Sequence, residues 1–208
     1  TATPTTNPES YTNQAEAYYE EGKLLQAIES YQQAILAEPA DSSHYVALAR
    51  VQILAGQHEE ALENAELAVL RNNENPLAHA VKAWALDFAG DIVKAEASIK
   101  TALELAPDNA FVHAVYAEIL MDNGEFEEAS AASLRALELD PTSLEAHRAR
   151  GYVLYWTGNY EEAINEYDIA ININQRIPNL HLMQGYSYYA LSEYDQAVKA
   201  FRIGRAHV

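Results

Sequence analysis

Residues 144–170, LEAHRARGYVLYWTGNYEEAINEYDIA, decide the fold. The stretch holds two amphipathic helical patterns broken at Thr157-Gly158-Asn159, and its spacing recurs through nearly the whole chain. Gly22, Gly56, Gly90, Gly124 and Gly158 stand 34 residues apart. The same interval separates Ala27, Ala61, Ala95, Ala129, Ala163 and Ala197, and again Ala34, Ala68, Ala102, Ala136 and Ala170. Three columns in one register define a stacked array, in which no unit buries its apolar face alone and the core exists only between neighbours.

Taken along the chain, the units fall at about 8–41, 42–75, 76–109, 110–143, 144–177 and 178–208. Each reads as a helix, a tight turn near the glycine, a second helix and a closing turn, with proline at Pro39, Pro107 and Pro141. Ser42 or Ser43 is a candidate helix cap, and Pro76 suits the first turn of a helix. Residues 1–8, TATPTTNP, lack apolar periodicity and read as an extended linker ahead of one solenoid spanning 9–208. Thr/Pro stretches often tether exported domains, which leans the localisation away from the cytoplasm.

The charge narrows the partner class. With 31 acidic and 13 basic residues the net charge is −18, so nucleic acid and anionic membrane surfaces, which need a basic face, are not expected partners. Cysteine is absent, which excludes disulfides and thiolate chemistry. No apolar run approaches the ~20 residues of a membrane helix.

Catalytic constellations are not found. The acidic pairs Glu59-Glu60, Glu127-Glu128 and Glu161-Glu162 open second helices, where they face the positive end of the helix dipole. His79, His113, His147 and His181 form a column, but residues one repeat apart lie on separate helices, too far apart to share a metal with bonds of ~2.1 Å. They are expected to pack between first helices. Neither a Gly-rich phosphate loop nor a His-Glu-x-x-His motif occurs. The expectation is therefore no enzyme, no cofactor and no metal site.

Over residues 9–208 the pattern resembles the tetratricopeptide repeat family. Its small crossing residues have counterparts in Ala15, Ala49, Ala83, Ala117, Gly151 and Gly185, followed by the Ala27 and Ala34 columns. Its larger positions are matched by Leu24, Ile92, Phe126, Tyr160 and Tyr194, and by Tyr31, Tyr167 and Phe201. Asn73 and Gln175 depart from the closing proline, His58 from an aromatic, and Ala65 and Ser133 from Tyr or Phe.

The resemblance implies an all-α, right-handed α-solenoid that acts as a protein-interaction scaffold. It also implies a concave groove lined by first helices. Carried onto this chain, the groove holds Arg50, Trp84, Phe88, Phe111, Arg148, Tyr152, Tyr155, Trp156, Tyr186 and Tyr189. Trp84, Tyr152, Tyr155 and Trp156 are the expected apolar anchors, and Arg50 and Arg148 the expected contacts for a carboxylate or carbonyl. The positions at which the family's chaperone-binding members grip a carboxylate are here Thr12, Glu16, Ala47, Leu77 and Val81, which do not make that clamp. The expected partner is an apolar, aromatic-rich protein segment. Two alternatives accompany this reading. One is self-assembly through the N-terminal arm or the apolar C-terminal end at Val198, Phe201 and Ile203. The other is that the chain is the repeat portion of a larger enzyme or of an envelope or secretion protein.

Overall fold

The computed structural model describes residues 8–206. The stretch read as a linker therefore lies outside the described residues, apart from Pro8, which begins the first helix. Among the described residues there are twelve helices and no strand. They are α1 (Pro8–Glu20), α2 (Leu24–Ala37), α3 (Ser42–Leu54), α4 (His58–Arg71), α5 (Pro76–Phe88) and α6 (Ile92–Leu105). The second half continues with α7 (Ala110–Asp122), α8 (Phe126–Leu139), α9 (Leu144–Trp156), α10 (Tyr160–Ile173), α11 (Pro178–Ala190) and α12 (Tyr194–Ala206).

Local chemistry sets the helix ends. Asp41, Asn75, Asn109 and Ser143 each accept a backbone N–H of the helix they precede, satisfying a donor the helix itself leaves open. Proline opens α5 and α11, where its missing N–H costs nothing. Between the helices of a unit the chain passes through the left-handed region, at Gly22, Gly56, Gly90, Gly124 and Gly158. The sixth unit has no glycine there. Ser192 takes the same conformation, with φ of 63°. The turn is thus dictated by the helix pairing rather than by its residue, and serine bears the strain.

Each first helix packs on its own second helix, and from α3 to α11 on the first helix of the next unit as well. First helices thereby form an inner layer and second helices an outer one. Side-chain sizes at the crossings are complementary. A Cβ added to Gly151 would stand 2.8 Å from the Tyr167 ring, and one added to Gly185 would stand 2.5 Å from Phe201. Where the facing residue is smaller, as at Ala65 and Ser133, the crossing residue is alanine (Ala49 and Ala117), and all four are buried. Around Ser133 the gap is further closed by Arg150, whose guanidinium donates to Ser130 Oγ at 3.2 Å and Ser133 Oγ at 3.3 Å.

The histidine column has one structural task. In His79, His113, His147 and His181 the ring Nε2 lies 2.8, 2.7, 3.0 and 2.8 Å from the carbonyl oxygens of Asn73, Pro107, Pro141 and Gln175. Each accepting carbonyl sits just beyond a second helix, so the ring staples one unit to the next. In the second unit Tyr45 replaces the histidine and donates its hydroxyl to the Pro39 carbonyl at 3.1 Å. The accepting group is backbone, which is why Asn73 and Gln175 replace proline without loss of the contact.

Two contacts bridge distant units. Arg50 of α3 reaches Glu145 of α9, Nε to Oε1 at 2.6 Å, and Asn174 Nδ2 donates to the Tyr19 carbonyl at 2.8 Å. The array therefore curves until its early and late units touch, with the first helices facing inward.

Candidate functional site

The expected groove residues separate into buried and accessible groups. Trp84 is 1% exposed. Its indole N–H donates to Glu118 Oε2 at 2.9 Å, and the Arg148 guanidinium lies over the ring, 4.8 Å from the centroid. Arg148 in turn pairs with the other Glu118 oxygen. One side chain from each of α5, α7 and α9 thus forms a closed node that ties three units in register. Burial pushes the Glu118 carboxyl up, against the opposing pull of Arg148. Burial alone would lower the Arg148 guanidinium, but the Glu118 carboxylate outweighs it and the value is raised.

Arg50 is likewise committed. Beyond its bond to Glu145 it lies 5.6 Å from the ring centroids of both Tyr19 and Phe111. These placements correct part of the sequence reading. Trp84 is a core residue, Arg148 is buried and paired with Glu118, and Arg50, whose side chain is still 40% exposed, is paired with Glu145. The physical reason is reach: an arginine on a helix two or three units away extends across the inner layer to cover the ring or acid that the sequence leaves open.

The remaining aromatics are accessible. Trp156 is 58% exposed and meets the rings of Tyr152 and Tyr155 edge-on, at centroid distances of 6.2 and 5.3 Å. Tyr155 continues to Tyr160 at 5.7 Å. One unit on, Tyr186 and Tyr189 are 49% and 61% exposed, packed against Phe201 and Tyr194. These rings form an aromatic strip on the last two units, drawn from both first and second helices. Phe88 stands apart from it, stacked on His58 with centroids 4.3 Å apart.

Two concavities open on the inner layer. The larger, about 590 Å³, is lined by the starts of α3, α5, α7 and α9 together with Thr12 and Glu16 of α1. Phe111 lies here with Arg50, beside the acidic Glu16, Asp108, Asp140 and Glu145. Four of the five carboxylate-clamp positions, Thr12, Glu16, Ala47 and Leu77, line it, and its arginine is already paired with Glu145. With four carboxyl groups around one arginine that is already paired, it disfavours a free carboxylate.

The smaller concavity, about 280 Å³, is bounded by Asp87 and Phe88 of α5, Glu118 and Asp122 of α7, Arg148 and Tyr152 of α9, and Asn179 and Met183 of α11. Three carboxylates here face one guanidinium. Arg148 is held by Glu118, and the Tyr152 hydroxyl donates to Asp122. Asp87 Oδ1 is buried with no hydrogen-bond partner. Burial, and then the neighbouring Asp122 and Glu118 carboxylates, push the Asp87 carboxyl up to about 8. Sequence pattern alone assigns Asp87 and Glu118 no role. The convergence of four helices on one point is what reveals it.

Comparison with known proteins agrees with this architecture. Tetratricopeptide repeat profiles match residues 18–85, 89–133 and 180–203, and a further TPR repeat profile matches 117–158. No curated protein sequence matches the chain. Among solved structures, a thermophilic TPR protein of Thermus thermophilus is 22% identical, with a TM-score of 0.69 over 89% of this chain and 100% of that one. The Cut9–Hcn1 hetero-tetramer of APC/C contains a similar chain at 13% identity and TM-score 0.68, covering 97% of this chain but 40% of that one. PilF of Pseudomonas aeruginosa is similar at 17% identity and TM-score 0.55, covering 96% and 91%. These likenesses are of fold. Taken with the profile matches, the 34-residue register and the paired helices, they identify the chain as a member of the tetratricopeptide repeat family.

Proposed function

We propose that this chain binds a protein segment through the aromatic strip of its last two units, and that the segment places a basic side chain in the adjoining acidic concavity. Tetratricopeptide arrays are in general non-enzymatic protein-interaction scaffolds. No helix among the described residues is long and apolar enough to cross a membrane. The observation that carries the finer reading is the continuity of the two features at Tyr152. Its ring meets Trp156 on the strip, and the residue lines the concavity where Asp87 Oδ1 lacks a partner.

The chemistry of each part follows from its lining. Trp and Tyr supply large, rigid contact area and dominate interface energies. A buried acceptor without a donor is a standing cost of about 1–3 kcal/mol. A lysine or arginine supplies that donor, and its charge offsets the excess of carboxylates over Arg148. This retains the apolar, aromatic-rich partner expected from sequence and adds a basic residue to it.

The test is a peptide-display selection on the full chain. Enriched sequences are expected to combine apolar or aromatic residues with a lysine or arginine. Truncating Trp156 to alanine should weaken a selected peptide by about 2 kcal/mol or more, roughly 30-fold. Peptides that bind wild type and Trp156→Ala equally would move the binding surface elsewhere.

A further inference from the structure

We infer that Glu38, Asp41 and His44, at the junction of α2 and α3, form a binding site for a borderline divalent transition ion, with zinc as its test case. The sequence reading, which considered only the histidines one repeat apart, offered no such site.

The second unit departs from the repeat here. The position of His44 is held by Ala78, Val112, Ala146 and Leu180 in the following units, all four fully buried. His44 goes into the same place and is 7% exposed. Its Nε2 is buried without a hydrogen bond, unlike the column histidines, whose Nε2 atoms are all taken by carbonyls. An imidazole nitrogen in that position costs free energy unless something binds it.

What faces it are two carboxylates. Glu38 Oε2 lies 3.6 Å from Nε2 and Asp41 Oδ2 lies 3.8 Å from it, beyond hydrogen-bond reach. All three donor atoms fall within 4.8 Å of one another. Ligands ~2.1 Å from a tetrahedral zinc ion stand roughly 3.4 Å apart, so a small contraction closes the set around a metal.

The acids are placed for this. Asp41 divides its work: Oδ1 accepts the Ser43 backbone N–H at 2.8 Å, which caps α3, fixes the carboxylate and leaves Oδ2 turned to His44. That backbone bond holds the Asp41 carboxyl below its ordinary value. The caps at the matching positions of the next three units are the neutral Asn75, Asn109 and Ser143. Glu38 caps the C-terminus of α2 and is exposed, so an ion can reach the three donors from solvent. One nitrogen and two carboxylate oxygens suit zinc and its neighbours in the first transition row. Three ligands within seven consecutive residues also cost little chain entropy to bring together.

The experiment is equilibrium dialysis of the tag-free full chain against zinc chloride in phosphate-free buffer, followed by isothermal titration. Wild type should retain about one zinc per chain and melt at higher temperature with it, because the ion clips α2 to α3. His44→Ala installs the residue found at this position in the third and fifth units, so its fold should hold, which circular dichroism checks. His44→Ala and Glu38→Gln should each weaken binding by more than about tenfold, since even outer-shell changes cost 10–100-fold, whereas His79→Ala should not. Wild type that retains no zinc overturns the inference, as does retention by His44→Ala with unchanged affinity. In the second case the ion sits elsewhere on the chain.

Discussion

Trp84 and Tyr186 occupy the same repeat position, three units apart, and do opposite things. Along this column, Trp84, Glu118, Tyr152 and Tyr186, the first two side chains are buried, Tyr152 is half-buried, and Tyr186 is 49% exposed. Each sits on a first helix beside a small crossing residue, alanine in the third and fourth units and glycine in the fifth and sixth. What changes is cover from later units: Arg148 lies over Trp84 from two units ahead, whereas Tyr186 leans on Phe201 of its own unit. An aromatic residue on the inner face of an array is thus a core residue or an available anchor according to what reaches back over it. The protein's two tryptophans, Trp84 and Trp156, fall on opposite sides of that division.

Breaking the buried side should have the largest effect. Arg148→Ala leaves the Glu118 carboxylate buried and unpaired, and a loss of about 3–5 kcal/mol is expected in urea denaturation. Trp84→Ala empties a fully packed site and is expected to cost a similar loss of roughly 3–5 kcal/mol. Trp156→Ala, on the exposed side, should change stability by no more than about 0.5 kcal/mol while weakening peptide binding. Comparable stability losses from the two tryptophan substitutions would erase the distinction.

The acidic concavity sharpens the comparison, because there function and stability should oppose each other. The groups facing Asp87 are Asp122, Glu118, Arg148 and Tyr152, with His58 on the outer side of Phe88. With its carboxyl raised to about 8 in the fold, Asp87 binds more protons natively than in the unfolded chain, whose carboxyl titrates near ~4. Stability should therefore fall as pH rises from about 4 through 8. Asp87→Asn should remove that fall, raising the melting temperature at pH 9 by roughly 2–4 °C per kcal/mol recovered. The same substitution should weaken binding of a basic peptide, and wild-type affinity for it should rise with pH through about 8 as Asp87 ionises. A melting temperature at pH 9 that does not rise in Asp87→Asn would show that this acid is not the source of the strain.

The smallest effect belongs to a staple. His147 donates Nε2–H to Pro141 and meets Glu166 through Nδ1 at 2.6 Å, and the Glu166 hydrogen bond holds its imidazole above the ordinary value. The associated stability is fully present below the unfolded-state value near ~6.5 and is lost as pH rises through the higher folded one. Glu166→Gln should flatten this slope of the melting temperature above about pH 6.5, and an unchanged slope would discard the pair as its source.

The repeat was legible in sequence because it rests on size at fixed intervals, which small crossing residues such as Ala15 and Gly151 report directly. Even its irregularities obeyed the register: Ser192 assumes the left-handed turn of the glycines that precede it. The histidine column was legible as packing but not as a set of staples, since the partners are backbone carbonyls that side-chain identity does not reveal. The site was less legible still. Whether Trp84 is covered depends on Arg148, 64 residues later, and whether Arg50 is free depends on Glu145, 95 residues later. Those contacts are set by the curvature of the array, which no single repeat encodes. His44 was visible in principle, as a histidine in a column of Ala, Val and Leu, but its meaning needed the two acids beside it.

The most direct measurement uses the two tryptophans as separate reporters. Trp84→Phe leaves Trp156 as the only indole, and Trp156→Phe leaves Trp84. Emission and acrylamide quenching of each are then followed as a display-selected peptide is added. Trp156 is predicted to begin quenchable, shift to the blue and become protected on binding, while Trp84 is protected throughout and does not respond. A response from Trp84 with none from Trp156 would contradict this division, and would place the partner in the interior of the array.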